Sequence, residues 1–318
     1  MWLQARMYML LGLMFAIVYA LIVVVGWAAG FGNFFVYGII AAAMLFIQYM
    51  IGPKMVEFSM RVKYVSEKEQ PELHKMVAEL AQKAGIKKPR VGISEVNIPN
   101  AFAFGKSRGD GRICVTKGIM GLMDKDELKA VLGHEISHIA NRDVTIITIL
   151  SIIPMICWYL GQSTLYSSGN RDRGSAAMLI GIFAIILYFV TNLLVLYASR
   201  IREYYADRGA VNLGNKPNDL ASALYKLVYG SAKAGKGEIK QIEGYKAFFV
   251  NDPSRAIRDF SELKALDKDM SGTIDQHELG AIRDRKVKVS AGDRIMEVLS
   301  THPNMLKRIQ QLSKLQAE

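Results

Sequence analysis

A chain of 318 residues with 51% hydrophobic residues and a mean hydropathy of +0.16 is too apolar for an ordinary soluble enzyme. Its formal charge of +11 invites a nucleic-acid reading, yet no stretch interleaves basic and aromatic residues as a stacking groove requires, so nucleic acid is excluded as a partner. Two cysteines exclude a disulfide framework and fit a reducing compartment.

Four stretches, 7–30, 34–52, 144–165 and 176–198, are nearly free of charge. Each reaches or approaches the ~20 residues that cross a hydrocarbon core. Trp27, Trp158, Tyr159 and Tyr197 near their ends suit a membrane interface. The first stretch is too long for a removable signal peptide and is not followed by a small-residue cleavage site. Arg6 precedes the first stretch, Lys54, Arg61 and Lys63 follow the second, Arg142 precedes the third, and Arg200 and Arg202 follow the fourth. The loop between the third and fourth has only Arg171 and Arg173, partly offset by Asp172. This bias predicts a multi-pass protein of the cell membrane with both termini and the polar bulk in the cytoplasm. The same basic residues attract anionic lipid.

Between the second and third stretches, Leu73, Met76, Val77, Leu80 and Ala84 make a helical stripe closed by Gly85. "PRVGISE" and "NIPNAFAFG" read as short strands, "KSRGDGR" as a turn, and "ICVTKGIM" as a returning strand. A helix then begins near Asp124, with Glu127 placed to complete a capping box, and is expected to run on into the third stretch. After the fourth stretch the helical pattern resumes through "SRIREYYADRGAVNLG", an amphipathic helix follows at "NDLASALYKLVYGSA", and a last one carries Leu306, Ile309, Leu312 and Leu315. The expected fold is a mainly α-helical integral membrane protein with four transmembrane helices and a cytoplasmic α+β domain holding a small sheet. The expected division is a membrane hairpin over 1–52, a first catalytic part over 53–143 and a second hairpin over 144–198. A second catalytic part over 199–259, an EF-hand-like insert over 260–289 and a closing catalytic helix over 290–318 follow.

His134, Glu135 and His138 form H-E-x-x-H. On a helix, positions i and i+4 share a face, so both imidazoles reach one zinc ion while Glu135 can take a proton from water on it. The apolar frame of Leu132, Gly133 and Ile136 suits a buried site better than two solvated histidines. A metzincin would place a glycine and a third histidine where Asn141 and Val144 stand, which excludes that class. A thermolysin-like site takes a later glutamate, and "REYYAD" offers Glu203, with Asp207 one turn on to accept a hydrogen bond from a ligand histidine. A hairpin of the third and fourth stretches would deliver Glu203 beside His134 and His138. An ordinary charged helix face, balanced by Arg200, Arg202 and Arg208, is the plain alternative.

"GHEISHIANRD", an apolar hairpin and "SRIREYYADRGA", with "NAFAFG" before and "STHPNMLKRIQQL" after, resemble the M48 peptidases in order along essentially the whole chain. Within that family the HtpX type is most similar, a membrane-bound heat-shock protease. The resemblance implies a gluzincin-type zinc endopeptidase (one zinc per chain) at the cytoplasmic membrane face, with His134, His138 and Glu203 as ligands and Glu135 as base. It further implies quality control of unfolded or damaged membrane proteins. The strand over Asn100, Ala101, Phe102, Ala103, Phe104 and Gly105 is expected to align a peptide by strand addition; a plain buried strand would read the same. His302 and Arg308 are candidate donors to the oxyanion, or "THP" simply starts the last helix.

"DKDMSGTIDQHE" follows the EF-hand calcium loop, with Asp267, Asp269, Ser271, Thr273, Asp275 and Glu278 at ligand positions 1, 3, 5, 7, 9 and 12 and Gly272 at the turn. No second loop is found, so calcium binding is expected to be weak or dimer-forming. The M48 resemblance does not vouch for this insert. A different class of protein, a calcium-responsive membrane adaptor with an inert H-E-x-x-H, competes with the enzyme; zinc content and casein cleavage with and without a chelator separate them. A prenyl-protein (CAAX) protease ranks low, because that branch has a cage of about seven spans.

Overall fold

The computed structural model describes residues 13, 34–143, 146, 153–154, 157–158, 160–162, 174–235, 249–251, 255–283 and 296–315. The chain divides into two compact units, Met1–Ile51 with Thr145–Ser199, and Gly52–Val144 with Arg200–Glu318.

Two long helices enter the first unit. Helix α1, Phe34–Ser59, contains the second apolar stretch but does not stop with it, continuing through Pro53. Helix α5, Gly174–Asn212, contains the fourth stretch. Among the described residues, its portion Met178–Asn212 is the one helix long and apolar enough to cross a membrane. Leu179, Phe183, Ile186 and Phe189 stand exposed along it, an apolar surface that water does not favour. On its inner side Ala184, Val195 and Ala198 are buried with Ile153 and Cys157, and Trp158 meets Tyr188 with ring centroids 5.1 Å apart. The stretch 7–30, most of 144–165 and the loop 166–173 lie outside the described residues.

The second unit is built on a mixed sheet. Its strands are β1 (Val62–Tyr64), β2 (Arg90–Ser94), β3 (Ala101–Phe104) and β4 (Arg112–Thr116), in the order β1-β2-β4-β3. β2 and β4 are parallel, while β1 and β3 run antiparallel to their neighbours, with Ala103 opposite Ile113. β3 is therefore an edge strand. The expected continuation of β4 into "KGIM" instead forms a helical turn, α3 (Lys117–Met120). Gly118 there leaves no room for a side chain: a Cβ would stand 1.8 Å from the Asn97 carbonyl oxygen.

Helix α2 (Pro71–Lys83) buries the expected stripe, with proline in its first turn and Gly85 at φ +63 just past its end. Helix α4 (Lys125–Ala140) begins with the expected reciprocal cap: Asp124 accepts from the Asp126 and Glu127 amides, and Glu127 accepts from that of Asp124. It does not run on into the third stretch. Asn141 ends it and Arg142, at φ +59, turns the chain. Helix α6 (Pro217–Lys233) packs against α4, α7 (Ala256–Leu263) and α9 (Met305–Leu315). Val77, Ile113, Leu132, Leu224 and Ile309 share one core. Leu263 of α7, Ile274 of the acidic loop and Leu279 of α8 (Gln276–Ile282) join the same core, so that segment is built into this unit.

Candidate active site

One turn apart on α4, His134 and His138 turn their Nε2 atoms towards each other at 3.1 Å. Glu203, from α5, places Oε2 3.5 Å from His134 Nε2 and Oε1 3.5 Å from His138 Nε2. A tetrahedral ion with donors about 2.0–2.1 Å away has donor–donor edges of about 3.3 Å. The three separations scatter around that edge, so the group fits a single tetrahedral metal ion. Two glycines let the helices approach this closely. A Cβ on Gly209 of α5 would stand 2.4 Å from Ser137 Oγ, and one on Gly133 of α4 would stand 3.5 Å from Ala210 Cα and 2.4 Å from Asn215 Nδ2.

Behind each histidine is an aspartate. His134 Nδ1 lies 2.9 Å from Asp207 Oδ1, as the spacing of "EYYAD" suggests, and His138 Nδ1 lies 2.5 Å from Asp143 Oδ2. Nδ1–H donation from His138 leaves its Nε2 lone pair for a metal, and Asp207 stands close enough to His134 Nδ1 to orient that ring in the same sense. Sequence reasoning missed Asp143, and with it Arg202, whose Nη2 is 2.8 Å from Asp143 Oδ1. The signal was present in "NRD", but a contact made across a helix-ending turn has no helical period.

Arg308 is fully buried and four of its five N–H donors face acceptors. Nε and Nη2 form a bidentate pair with Asp207 (2.9 and 2.7 Å), and Nη1 reaches the Val250 carbonyl at 3.0 Å and Glu203 Oε2 at 2.9 Å. Burial disfavours the cation, but Asp207 and Glu203 outweigh it and hold the guanidinium protonated. The geometry thus departs from the expected oxyanion donor: Arg308 anchors carboxylates. His302 differs. It is buried, its Nδ1 is 3.5 Å from Glu203 Oε2, and neither ring nitrogen has a hydrogen-bond partner among the described residues.

Glu135 is 4% exposed. Burial pushes its carboxyl above the ordinary range, with His138 and His134 opposing, and the Ala103 amide of β3 donates to it. The edge strand therefore touches the candidate base. Its side chains do not face a groove: Ala101, Phe102 and Phe104 are buried. Asn100 is buried too, accepting the Val250 amide on Oδ1 at 3.0 Å and pairing with Thr116 through its backbone. Gly105, at φ +147, packs on the Asp110 carbonyl, a turn requirement. Only the backbone edge of this segment is left to meet a peptide.

Charge completes the description. Among the described residues the site buries four carboxylates (Glu135, Asp143, Glu203, Asp207) and two guanidiniums (Arg202, Arg308), leaving two negative charges that a divalent cation would balance. A second group, Asp267, Asp269 and Glu278, converges elsewhere in the unit, each with a carboxylate oxygen within 4.8 Å of the others.

Residues 67–316 match Peptidase family M48, and the chain belongs to that family. Like it, the chain is a membrane-bound metalloprotease. It is 52% identical over 226 residues to a Protease HtpX homolog of Methanothermobacter thermautotrophicus, covering 71% of this chain and 86% of that protein. A Protease HtpX homolog of Moorella thermoacetica is 34% identical, with 99% of this chain and 95% of that protein covered. One from Pyrococcus furiosus is 36% identical, covering 79% and 88%. The crystal structure of S. mikatae Ste24p is similar with a TM-score of 0.50 at 17% identity; the match covers 93% of this chain and 62% of that one, and bears on fold alone.

Proposed function

We propose that this chain is a zinc endopeptidase that cleaves misfolded or damaged membrane proteins at the cytoplasmic face of the cell membrane. The observation that carries the reading is the convergence of His134 Nε2, His138 Nε2 and the Glu203 carboxylate at separations close to a tetrahedral edge. These three residues would hold the ion, with Asp207 and Asp143 orienting the histidines. Zinc, when bound, supplies Lewis acidity towards the scissile carbonyl and a more acidic water. Glu135, buried and held by the Ala103 amide, takes the proton of the attacking water and returns it to the leaving amine. His302 donates to the oxyanion as it forms, for which its unpartnered ring nitrogens beside Glu203 are the support. The place of β3 at the outer end of the sheet among the described residues supports its aligning an extended peptide. Four spans with both termini in the cytoplasm follow from the four apolar stretches and their flanking lysines and arginines. Such an arrangement keeps the site close to the bilayer, where damaged membrane proteins expose segments.

The test is Glu135→Gln in purified full-length protein. Zinc content should stay at the wild-type value while casein cleavage falls by at least ~10²-fold, the usual contribution of a general base. Near-normal proteolysis would remove Glu135 from the mechanism.

Calcium is proposed for the acidic loop. Asp267 accepts from the Ser271 and Gly272 amides, Gly272 takes the turn at φ +81, and Glu278 closes the loop onto the Lys268 amide. EF-hand loops ordinarily pair through their central residue; here Ser222 of α6 stands in for the second loop. Its hydroxyl accepts from Ile274 N at 2.8 Å and donates to Ile274 O at 2.9 Å, and Tyr225 donates to Asp267 at 3.2 Å. This supports a single loop without dimerisation. Calorimetry on the metal-free protein should give calcium heat that Glu278→Gln removes; absence of that heat ends the proposal.

A further inference from the structure

Arg200 stands on α5 one turn before Glu203, so the two side chains leave the same helix on neighbouring positions of one face. Its Nη1 donates to two carbonyls of the segment that precedes α9, where a helical turn ends: Val298 O at 2.9 Å and Ser300 O at 2.8 Å. Ser300 in turn accepts the His302 amide on its hydroxyl at 3.2 Å. Two residues further along the loop, the His302 ring reaches the site. The helix that supplies a metal-holding carboxylate thus also grips the segment that presents the candidate oxyanion donor.

We propose that Arg200 is a positioning residue for His302: it fixes the loop so that the imidazole stands beside Glu203 before substrate arrives. This rests on the reading of His302 given above. The physical logic is one of placement. The helical end Met296–Val298 and the turn at Leu299 expose Met296, Val298 and Leu299, so among the described residues these side chains give the segment little apolar anchorage. A cation bonding two carbonyls of that segment, two residues apart, supplies a constraint there. Other contacts hold the segment to α9 and to α7. Glu297 pairs with Lys307, and Asn304 bonds Glu262 at 3.0 Å. Loss of Arg200 therefore leaves the fold standing while freeing the His302 ring to wander. An ångström-scale misplacement of a catalytic group costs on the order of 10²-fold in rate.

The experiment uses the full-length, zinc-loaded protein and a quenched fluorescent peptide taken from a casein cleavage site. Arg200→Ala should lower kcat by about 10–100-fold with KM and zinc content within about twofold of wild type. Arg200→Lys should recover part of kcat, because both bonds come from one nitrogen and an ammonium can make them. His302→Ala should lower kcat by about 10²–10³-fold, the usual cost of one oxyanion donor. The double variant Arg200→Ala/His302→Ala should be no slower than His302→Ala alone, since Arg200 acts through that ring. Wild-type kcat in Arg200→Ala alongside a slow His302→Ala overturns the positioning role by itself. So does a double variant in which the two losses multiply. Wild-type kcat in His302→Ala overturns the oxyanion reading and the role of Arg200 together, a pattern distinct from the other two.

Discussion

At the scale of single residues, the two aspartates behind the histidines divide what is readable in a sequence from what is not. Asp207 lies four positions after Glu203 on one helix, so its place beside His134 follows from the helical period. Asp143 lies five positions after His138, beyond the end of α4. Only the left-handed turn at Arg142 folds it back to His138 Nδ1. No propensity announces that a bulky arginine will adopt φ +59 there, so the helical pattern carries no signal past the helix end. The contact has a consequence for metal affinity. Asp143 removes positive charge from the ring as the ring gives electron density to the ion, and it fixes which nitrogen faces inward. Asp143→Asn keeps the size and one acceptor but loses the charge. Zinc affinity should fall about 10-fold, the lower end of the range for such outer contacts. Competition with a chromogenic chelator measures it, and an unchanged affinity would detach Asp143 from the site.

At the scale of elements, what was legible was what local chemistry dictates. The Asp124–Glu127 cap, the stripe of α2 and the acidic loop between two short helices all carry their signals within a few residues. What was not legible depends on partners distant in sequence. β1 is three residues long with no buried alternation of its own, and exists because Val62–Tyr64 pairs with Gly92–Ser94. Lys117–Met120 reads as strand continuation, yet Ile119 enters the core from a helical turn and Gly118 fits against Asn97. The approach of α4 and α5 depends on Gly133 facing Ala210 and Gly209 facing Ser137. Each glycine looked incidental in its own segment; together they set the spacing that lets Glu203 reach both histidines. The same separation explains Arg308. Its position near the end of the chain carries no sign of this; only the fold brings it under Asp207, where it forms a bidentate pair.

At the scale of the molecule, the site is closed by the last helix. α9 reaches α5 through Arg308, which also holds the Val250 carbonyl, while Asn100 at the start of the edge strand holds the Val250 amide. One short segment thus links the strand that borders the base to the carboxylates that surround the metal. The buried charges tie this frame to the ion. The site sets four buried carboxylates against two buried guanidiniums; without Arg308 one guanidinium remains, with Asp207 and Glu203 left almost wholly buried. Removing one partner of a buried pair costs about 3–5 kcal/mol, because the remaining charge stays desolvated. Arg308→Met in full-length protein should therefore lower the melting temperature of the metal-free form by on the order of 10 °C. A bound divalent cation restores most of the lost compensation at Glu203, so the zinc-loaded variant should lose about half as much. Thermal unfolding followed by intrinsic fluorescence, with zinc and then after chelation, gives both numbers. Equal losses in the two forms would mean that Arg308 acts through packing alone, because charge compensation requires the gap between them to open when the metal is removed.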